Sequence, residues 1–372
     1  MKKMTIFCLT AFLVLLMSQP TSAKTFSDVP ASHSLSIEIE ALAADGVISG
    51  YSDGTFQPNN PIAKKHIAAM LVRALDLPTT NIKNPGYVDV PITHPYYIEI
   101  AAGYTAGLFS KATYFKPESS ISRAFMAKLL ASGFSLKAIR GNEQVYQDVP
   151  TTHPFYNVIQ LVTMNNVAQG FPTVKADQTT YAFKPNQLLT RAHFSAFLAR
   201  AMSLKSGDYA ANPAFKYYYE DETSRYRMQF KTRQLGSEET IDTWQFLDEL
   251  QPNQTFDFIY INSASRWVGD IEAGDVMTHA AKPFTLGTKY DTRPLFKTNP
   301  EQYLFASRQR ILDTDATITL AGKRYTNVVI IEDTYAIGST VITYIAPDCG
   351  VIAYGDEQQI NYWLDERIAM PK

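Results

Sequence analysis

Phe26-Ser27-Asp28-Val29-Pro30 recurs as Tyr87-Val88-Asp89-Val90-Pro91 and again as Tyr146-Gln147-Asp148-Val149-Pro150. Each copy is followed at one offset by a histidine: His33, His94 and His153. The aspartates lie 61 and 59 residues apart, so the repeating unit is about sixty residues long. Each unit also carries an aromatic-x-Pro turn, Phe56-Gln57-Pro58, Phe115-Lys116-Pro117 and Phe183-Lys184-Pro185, ahead of a second apolar stretch. In the first unit that stretch places Ile67, Met70, Leu71, Ala74 and Leu75 on one helical face; Phe194, Phe197, Leu198 and Ala201 do the same in the third. Asp45-Gly46 is a glycine stop for an earlier helix of the first unit. A helix-loop-helix of this size cannot bury its apolar face alone, so three copies must stack on one another.

These motifs closely resemble the S-layer homology (SLH) module of bacterial surface proteins. Repeat one shows the family order most fully, with Phe26-x-Asp28-Val29-Pro30, then Gly50-Tyr51-x-Asp53-Gly54-Thr55-Phe56, then Pro58. The resemblance implies a multidomain chain. Its first half would be an all-α pseudo-trimer of three helix-loop-helix repeats forming a prism, with ligand grooves between neighbours. The implied units are 24–82, 83–141 and 142–205. It further implies a protein held non-covalently on an anionic secondary cell-wall polysaccharide, often pyruvylated, of a Gram-positive cell, with no cofactor.

The family motif at the start of the second helix, Ile-Thr-Arg-Ala-Glu, corresponds here to Ile62-Ala63-Lys64-Lys65-His66, Ile121-Ser122-Arg123-Ala124-Phe125 and Leu189-Thr190-Arg191-Ala192-His193. Ser122 and Thr190 are suited to cap their helices. Ala63 is not, so Asn60 followed by Pro61 is the expected start in repeat one. The glutamate of the family motif is absent from all three. A cation at a helix N-terminus opposes the macrodipole at a cost of roughly 0.3–1 kcal/mol. An anion at the same place would offset that, which makes Lys64, Arg123 and Arg191 the candidate polysaccharide-binding residues. The competing reading is a surface ion pair with a nearby carboxylate. Lysine lacks the planar fork of arginine, so the Lys64 site is expected to be the weaker. Repeat two lacks the Gly-Tyr and Asp-Gly turn, and repeat three carries an insertion around 172–181, so at least one groove is expected to be degenerate. The three histidines sit in separate units and suit turns better than a metal.

Residues 206–213 suggest a linker, and 214–372 an antiparallel β-rich domain. Strands are expected at Tyr217–Tyr219, Arg225–Lys231, Phe256–Ile261, Thr317–Leu320, Val328–Ile331, Ser339–Ala346 and Val351–Tyr354, with Ile241–Leu250 open between helix and strand. The stretch from Lys323 through Tyr344-x-Ala346-Pro347-x-x-Gly350 is similar to half-barrel, lipoprotein-carrier-like modules, which implies a shape more than an activity. This half has one histidine, His279, and no nucleophile triad. Glu238-Glu239 and Asp313/Asp315 are carboxylate pairs that nothing positions. A non-catalytic surface module is the expectation; a wall-tethered glycan or peptide hydrolase is the alternative.

Composition agrees. The chain has 372 residues, 45% of them hydrophobic and 19% charged, which excludes disorder and leaves material for more than one core. Its net charge of -2 offers no global field for nucleic acid. Residues 24–205 hold 16 Lys+Arg against 12 Asp+Glu, while 206–372 hold 16 against 24, so the repeats are the basic half. Lys2-Lys3, the apolar run Met4–Met17 and Thr21-Ser22-Ala23 form an export signal over 1–23, shorter than a bilayer span. The mature protein is then expected to be secreted to the wall, with no transmembrane segment and with Cys349 as its one thiol. The partner of its β-rich half stays open.

Overall fold

The computed structural model describes residues 26–175, 178–205, 207–237, 239–250, 255–263, 266–271, 277–291, 307–336 and 338–370. The export signal and Glu238 lie outside them. Among the described residues no helix is long and apolar enough to cross a membrane.

Each repeat contributes two helices: α1 (Ser36–Ala44) and α2 (Lys64–Ala74), α3 (Tyr97–Thr105) and α4 (Arg123–Gly133), α5 (Tyr156–Met164) and α6 (Arg191–Met202). The apolar face of α2 falls where its spacing requires, with Ile67, Met70 and Leu71 buried. The glycine stop of α1 also holds, since Gly46 follows the C-cap Asp45 at φ 70°. Leu42, Ile67, Ile100, Leu130, Ile159 and Phe194, one from each helix, are buried in a single core. The first half is not purely helical. The insertion of repeat three forms a two-stranded antiparallel hairpin, β1 (Phe171–Lys175) with β2 (Gln178–Ala182).

The repeated aspartate has one structural task. Asp28 accepts the backbone N–H groups of Phe56 and Gln57 at 2.7 and 2.8 Å. Asp89 does so for Phe115 and Lys116, and Asp148 for Phe183 and Lys184. Gln57, Lys116 and Lys184 all sit at φ between 57° and 59°. The carboxylate therefore clamps a left-handed turn that a non-glycine residue resists. His33, His94 and His153 each accept, at Nδ1, the N–H two residues on. That bond gives each histidine a place in its turn.

Among the described residues the second half forms a twelve-stranded antiparallel sheet made of two meanders. One runs β3 (Phe215–Glu220), β4 (Arg225–Leu235), β5 (Glu239–Asp248), β6 (Thr255–Ser263), β7 (Arg266–Ile271) and β8 (Met277–Ala281). The other runs β9 (Lys289–Asp291), β10 (Ser307–Leu320), β11 (Lys323–Tyr335), β12 (Thr340–Ala346), β13 (Gly350–Gly355) and β14 (Ile360–Ala369). The two ends of the β-rich half meet in the middle, β3 beside β14, leaving β8 and β9 as the two edges. Ile241–Leu250 resolves as strand: Asp242, Trp244 and Phe246 alternate inward along β5. Tyr217, Tyr219, Trp244, Tyr260 and Trp267 fill the second core.

Two features join the halves. Tyr209, Ala210 and Ala211, in the stretch expected to link them, are buried in the second core, and Trp267 Nε1 donates to the Tyr209 carbonyl at 3.1 Å. A buried indole N–H gains from such a partner, and the segment supplies it. The second feature is the strap 282–288, which connects the two edge strands. Phe284 exchanges both backbone hydrogen bonds with Lys205, and Leu286 joins the core of the repeats. Asn166 Nδ2 donates to the Pro283 carbonyl, and the Leu286 N–H donates to Ser203 Oγ.

Candidate functional site: the grooves between repeats

The starts of α2, α4 and α6 point at one another in rotation. The Lys64 N–H donates to the Ser119 carbonyl, Arg123 to Gln187 and Arg191 to Asn60, at 2.8–2.9 Å. The next N–H in each helix donates to Pro117, Pro185 and Pro58. The first two donors of each second helix are therefore used by the aromatic-x-Pro turn of the next repeat, in the order one, two, three, one. Ser122 and Thr190 cap α4 and α6, accepting from Phe125 and His193. The expected start at Asn60-Pro61 is not found. Helix α2 opens at Lys64 with Ala63 in the cap position, and Asn60 instead offers its carbonyl to Arg191. The neighbouring repeat satisfies the end that no side chain caps.

The three cations follow the same rotation. Lys64 Nζ donates to the Phe115 carbonyl at 2.9 Å. Arg123 Nε donates to Phe183 at 2.8 Å and its NH2 to Gln169 at 3.0 Å. Arg191 Nε donates to Phe56 at 2.9 Å and its NH2 to Ser49 at 3.2 Å. Carbonyl dipoles, rather than a carboxylate partner, thus offset the charge that each helix start disfavours. Aromatic faces add to this. Arg123 lies over Phe171, Phe183 and Phe197, Lys64 over Phe109, Phe115 and Phe125, and Arg191 over Tyr51 and Phe56. Burial pulls the Arg123 guanidinium down to about 10, and lowers Lys64 and Arg191 as well.

The grooves differ in what surrounds these cations. Arg191 lines a cleft of about 240 Å³ with Tyr51, His66, Arg73 and Tyr96, residues drawn from all three repeats. The positions equivalent to His66, Met70 and Arg73 are Phe125, Leu129 and Ser132 in repeat two, and His193, Phe197 and Arg200 in repeat three. Phe125 therefore lies beside Lys64, which stays half-buried, and Phe197 packs over Arg123, which is only 3% exposed against 9% for Arg191. Arg200 is also committed, pairing at 2.7 Å with Glu38, whose side chain is fully buried. His66 stands 5.5 Å from the Tyr96 ring. Burial first, then Lys65 and Arg191, hold its pKa below the ordinary histidine value. Sequence reasoning singled out Arg191 but missed His66, Arg73 and Tyr96. Aligning the three second helices position by position could have drawn notice to His66 and Arg73, because repeat one, unlike repeat three with Phe197, has no aromatic residue between its histidine and arginine.

The carboxylate pairs of the β-rich half have local roles. Asp313 accepts the Asp315 N–H, Asp315 pairs with Lys205, and Glu239 pairs with Arg266. Cys349 is buried in the second core. Among the described residues no cluster of three metal-ligating side chains occurs.

The S-layer homology domain model matches residues 25–65, 86–127 and 145–195. The chain is 29% identical over 167 residues to the surface-layer 125 kDa protein of Lysinibacillus sphaericus, covering 44% of this chain and 14% of that protein. It is 34% identical over 205 residues to the S-layer protein EA1 of Bacillus anthracis, covering 53% of this chain and 22% of that protein. It is also similar to an uncharacterized cell wall amidase of Bacillus anthracis, 29% identical over 191 residues, covering half of this chain and 33% of that protein. The chain spans a third or less of the length of these relatives. The clamped turns, the rotating helix starts and the matched segments coincide: the first half of this chain consists of three S-layer homology domains.

Proposed function

We propose that the three repeats form a threefold prism that holds this secreted protein at the cell wall surface by binding an anionic wall polysaccharide, and that the cleft around Arg191 is the principal binding groove. The observation that carries this reading is the contrast between grooves. One cleft keeps two arginines, a histidine and two tyrosines around open space; the equivalent places set a phenylalanine against the cation, Phe125 beside Lys64 and Phe197 over Arg123. Tyrosine faces suit sugar rings, and a guanidinium fork suits a carboxylate such as a pyruvate ketal presents. Arg123 and Lys64 serve in this account as struts between repeats more than as ligand contacts. The units at 24–82, 83–141 and 142–205 belong to the same proposal, as does a β-rich module at 214–372 with a displayed, non-catalytic role.

The test is sedimentation of the full chain with purified wall fractions, before and after chemical removal of the secondary polysaccharide. The chain should pellet only with intact walls. Equal pelleting with stripped walls would place its receptor elsewhere.

A further inference from the structure

The β-rich half carries a second cleft, of about 570 Å³, far from the repeat grooves in sequence and made by a different set of elements. Its floor is the β12–β13 turn with Cys349, one wall is the start of β11, and the other is Arg367 near the end of β14. Among the described residues three cations line it, Lys323, Arg324 and Arg367, and no acidic side chain does. That is unexpected in a half where acids outnumber bases 24 to 16.

None of the three cations forms an ion pair with a carboxylate among the described residues. The carboxylate of Asp365, on the same strand as Arg367, is instead held by Arg225. Lys323 Nζ reaches only the Asp365 carbonyl, at 2.6 Å. Arg367 stacks on Phe215, 4.7 Å from the ring centroid, and its NH1 donates to Cys349 Sγ at 3.3 Å. A thiol is a weak acceptor, so this exposed guanidinium is oriented while its remaining N–H groups are open to a stronger acceptor. Tyr325 completes the wall. Burial pushes its hydroxyl up to about 12, so it keeps its proton and can donate to an oxyanion.

We propose that the cleft between Lys323, Arg324, Tyr325 and Arg367 binds an oxyanion, carboxylate or phosphate, carried on a sugar unit. The volume admits a saccharide beside the anionic group. The stacked Arg367 supplies a fixed fork, while Lys323 and Arg324 supply charge from the facing strand. The β-rich half then contributes its own contact to an anionic polymer, independent of the groove around Arg191.

Cys349 is a local reporter. Alkylation of its thiol by N-ethylmaleimide in the full chain, measured on the Cys349 peptide, is followed in chloride, inorganic phosphate, glucuronate and glucose at matched ionic strength. An oxyanion seated on Arg367 should slow labelling saturably, and glucose should not. Slowing by phosphate alone assigns a phosphorylated polymer, by glucuronate alone a uronic acid, and either supports the site. Arg367→Met, which keeps an apolar stem against Phe215, should raise the half-saturating concentration roughly tenfold or more. Lys323→Met, at an exposed hairpin position outside the core, should move it in the same direction and serves if the first variant is unstable. Equal labelling in all four solutions, or half-saturation unchanged in folded Lys323→Met, overturns the proposal.

Discussion

Arg191 Nε donates to the carbonyl of Phe56 at 2.9 Å, joining residues 135 positions apart. Arg123 repeats the relationship with Phe183, and Lys64 with Phe115. Each cation thus fastens the start of one helix to the clamped turn of the next repeat, and the last closes on the first. The helix-start cation, which by itself is unfavourable, becomes the joint that makes three weak units one body.

Arg123→Ala should therefore destabilise the repeats, because it leaves the Phe183 and Gln169 carbonyls without their charged donor. The loss should be on the order of 3 kcal/mol. Arg123→Lys should recover part of it, since one donor can still reach Phe183. Urea unfolding followed by helix ellipticity measures both. Wild-type stability in Arg123→Ala would show that the joint is not needed.

Asp89→Ala should cost roughly 2–3 kcal/mol, because Phe115 and Lys116 lose a shared charged acceptor and Lys116 stays in a left-handed conformation. Lys116→Gly introduced into that variant should restore part of the loss, since glycine tolerates the conformation. A pair of denaturation curves decides it.

His66 and His193 both have pKa values depressed below 6.5 by burial, with neighbouring cations adding to it. An unfolded chain takes up protons at these sites before the folded chain does. Stability should be full above the unfolded value and fall as pH drops below about 6.5. His66→Gln with His193→Gln should flatten that slope in thermal melts between pH 7.5 and 5. An anion in the Arg191 cleft favours protonated His66, so wall affinity should rise over the same pH decrease. A fall in affinity with acidification would argue against an anionic ligand beside His66.

Gly287 sits at φ 69°, and a Cβ there would run into the buried Glu38 carboxylate. Gly287→Val should therefore lift the strap off the repeats and draw Leu286 away from their core. Scanning calorimetry should show the two halves melting more independently than in the wild type. An unchanged profile would mean that the strap does not couple them.

The repeat, its helices and the strand-rich second half were legible in the sequence because local patterns set them: period 3.6 around Ile67 and Met70, period two over Thr317–Leu320; the pattern around Trp244 and Phe246 did not by itself decide between helix and strand. The hairpin at Phe171–Lys175 and Gln178–Ala182 was visible only as an insertion, since Pro172 and a run of polar residues obscure strand periodicity. The role of the cations was half legible. Lys64, Arg123 and Arg191 stood out by position, but their partners are backbone carbonyls of another repeat, and a carbonyl leaves no mark in sequence. The docking of Leu286 was hidden for the same reason: a single apolar residue gains its meaning from a surface some 80 positions earlier, at Ser203.

The central claim is that the repeats bind the wall through the open groove around Arg191. Tyr51 and Tyr96 line that groove but, unlike Arg191, do not brace one repeat against another through a side-chain hydrogen bond among the described residues. The direct test is the wall dissociation constant of the full chain carrying Tyr51→Ala and Tyr96→Ala, beside Phe125→Ala next to Lys64. The account predicts a loss of roughly ten- to a hundredfold for the tyrosine pair, and an affinity close to wild type for Phe125→Ala. Wild-type affinity in the folded tyrosine double variant contradicts it.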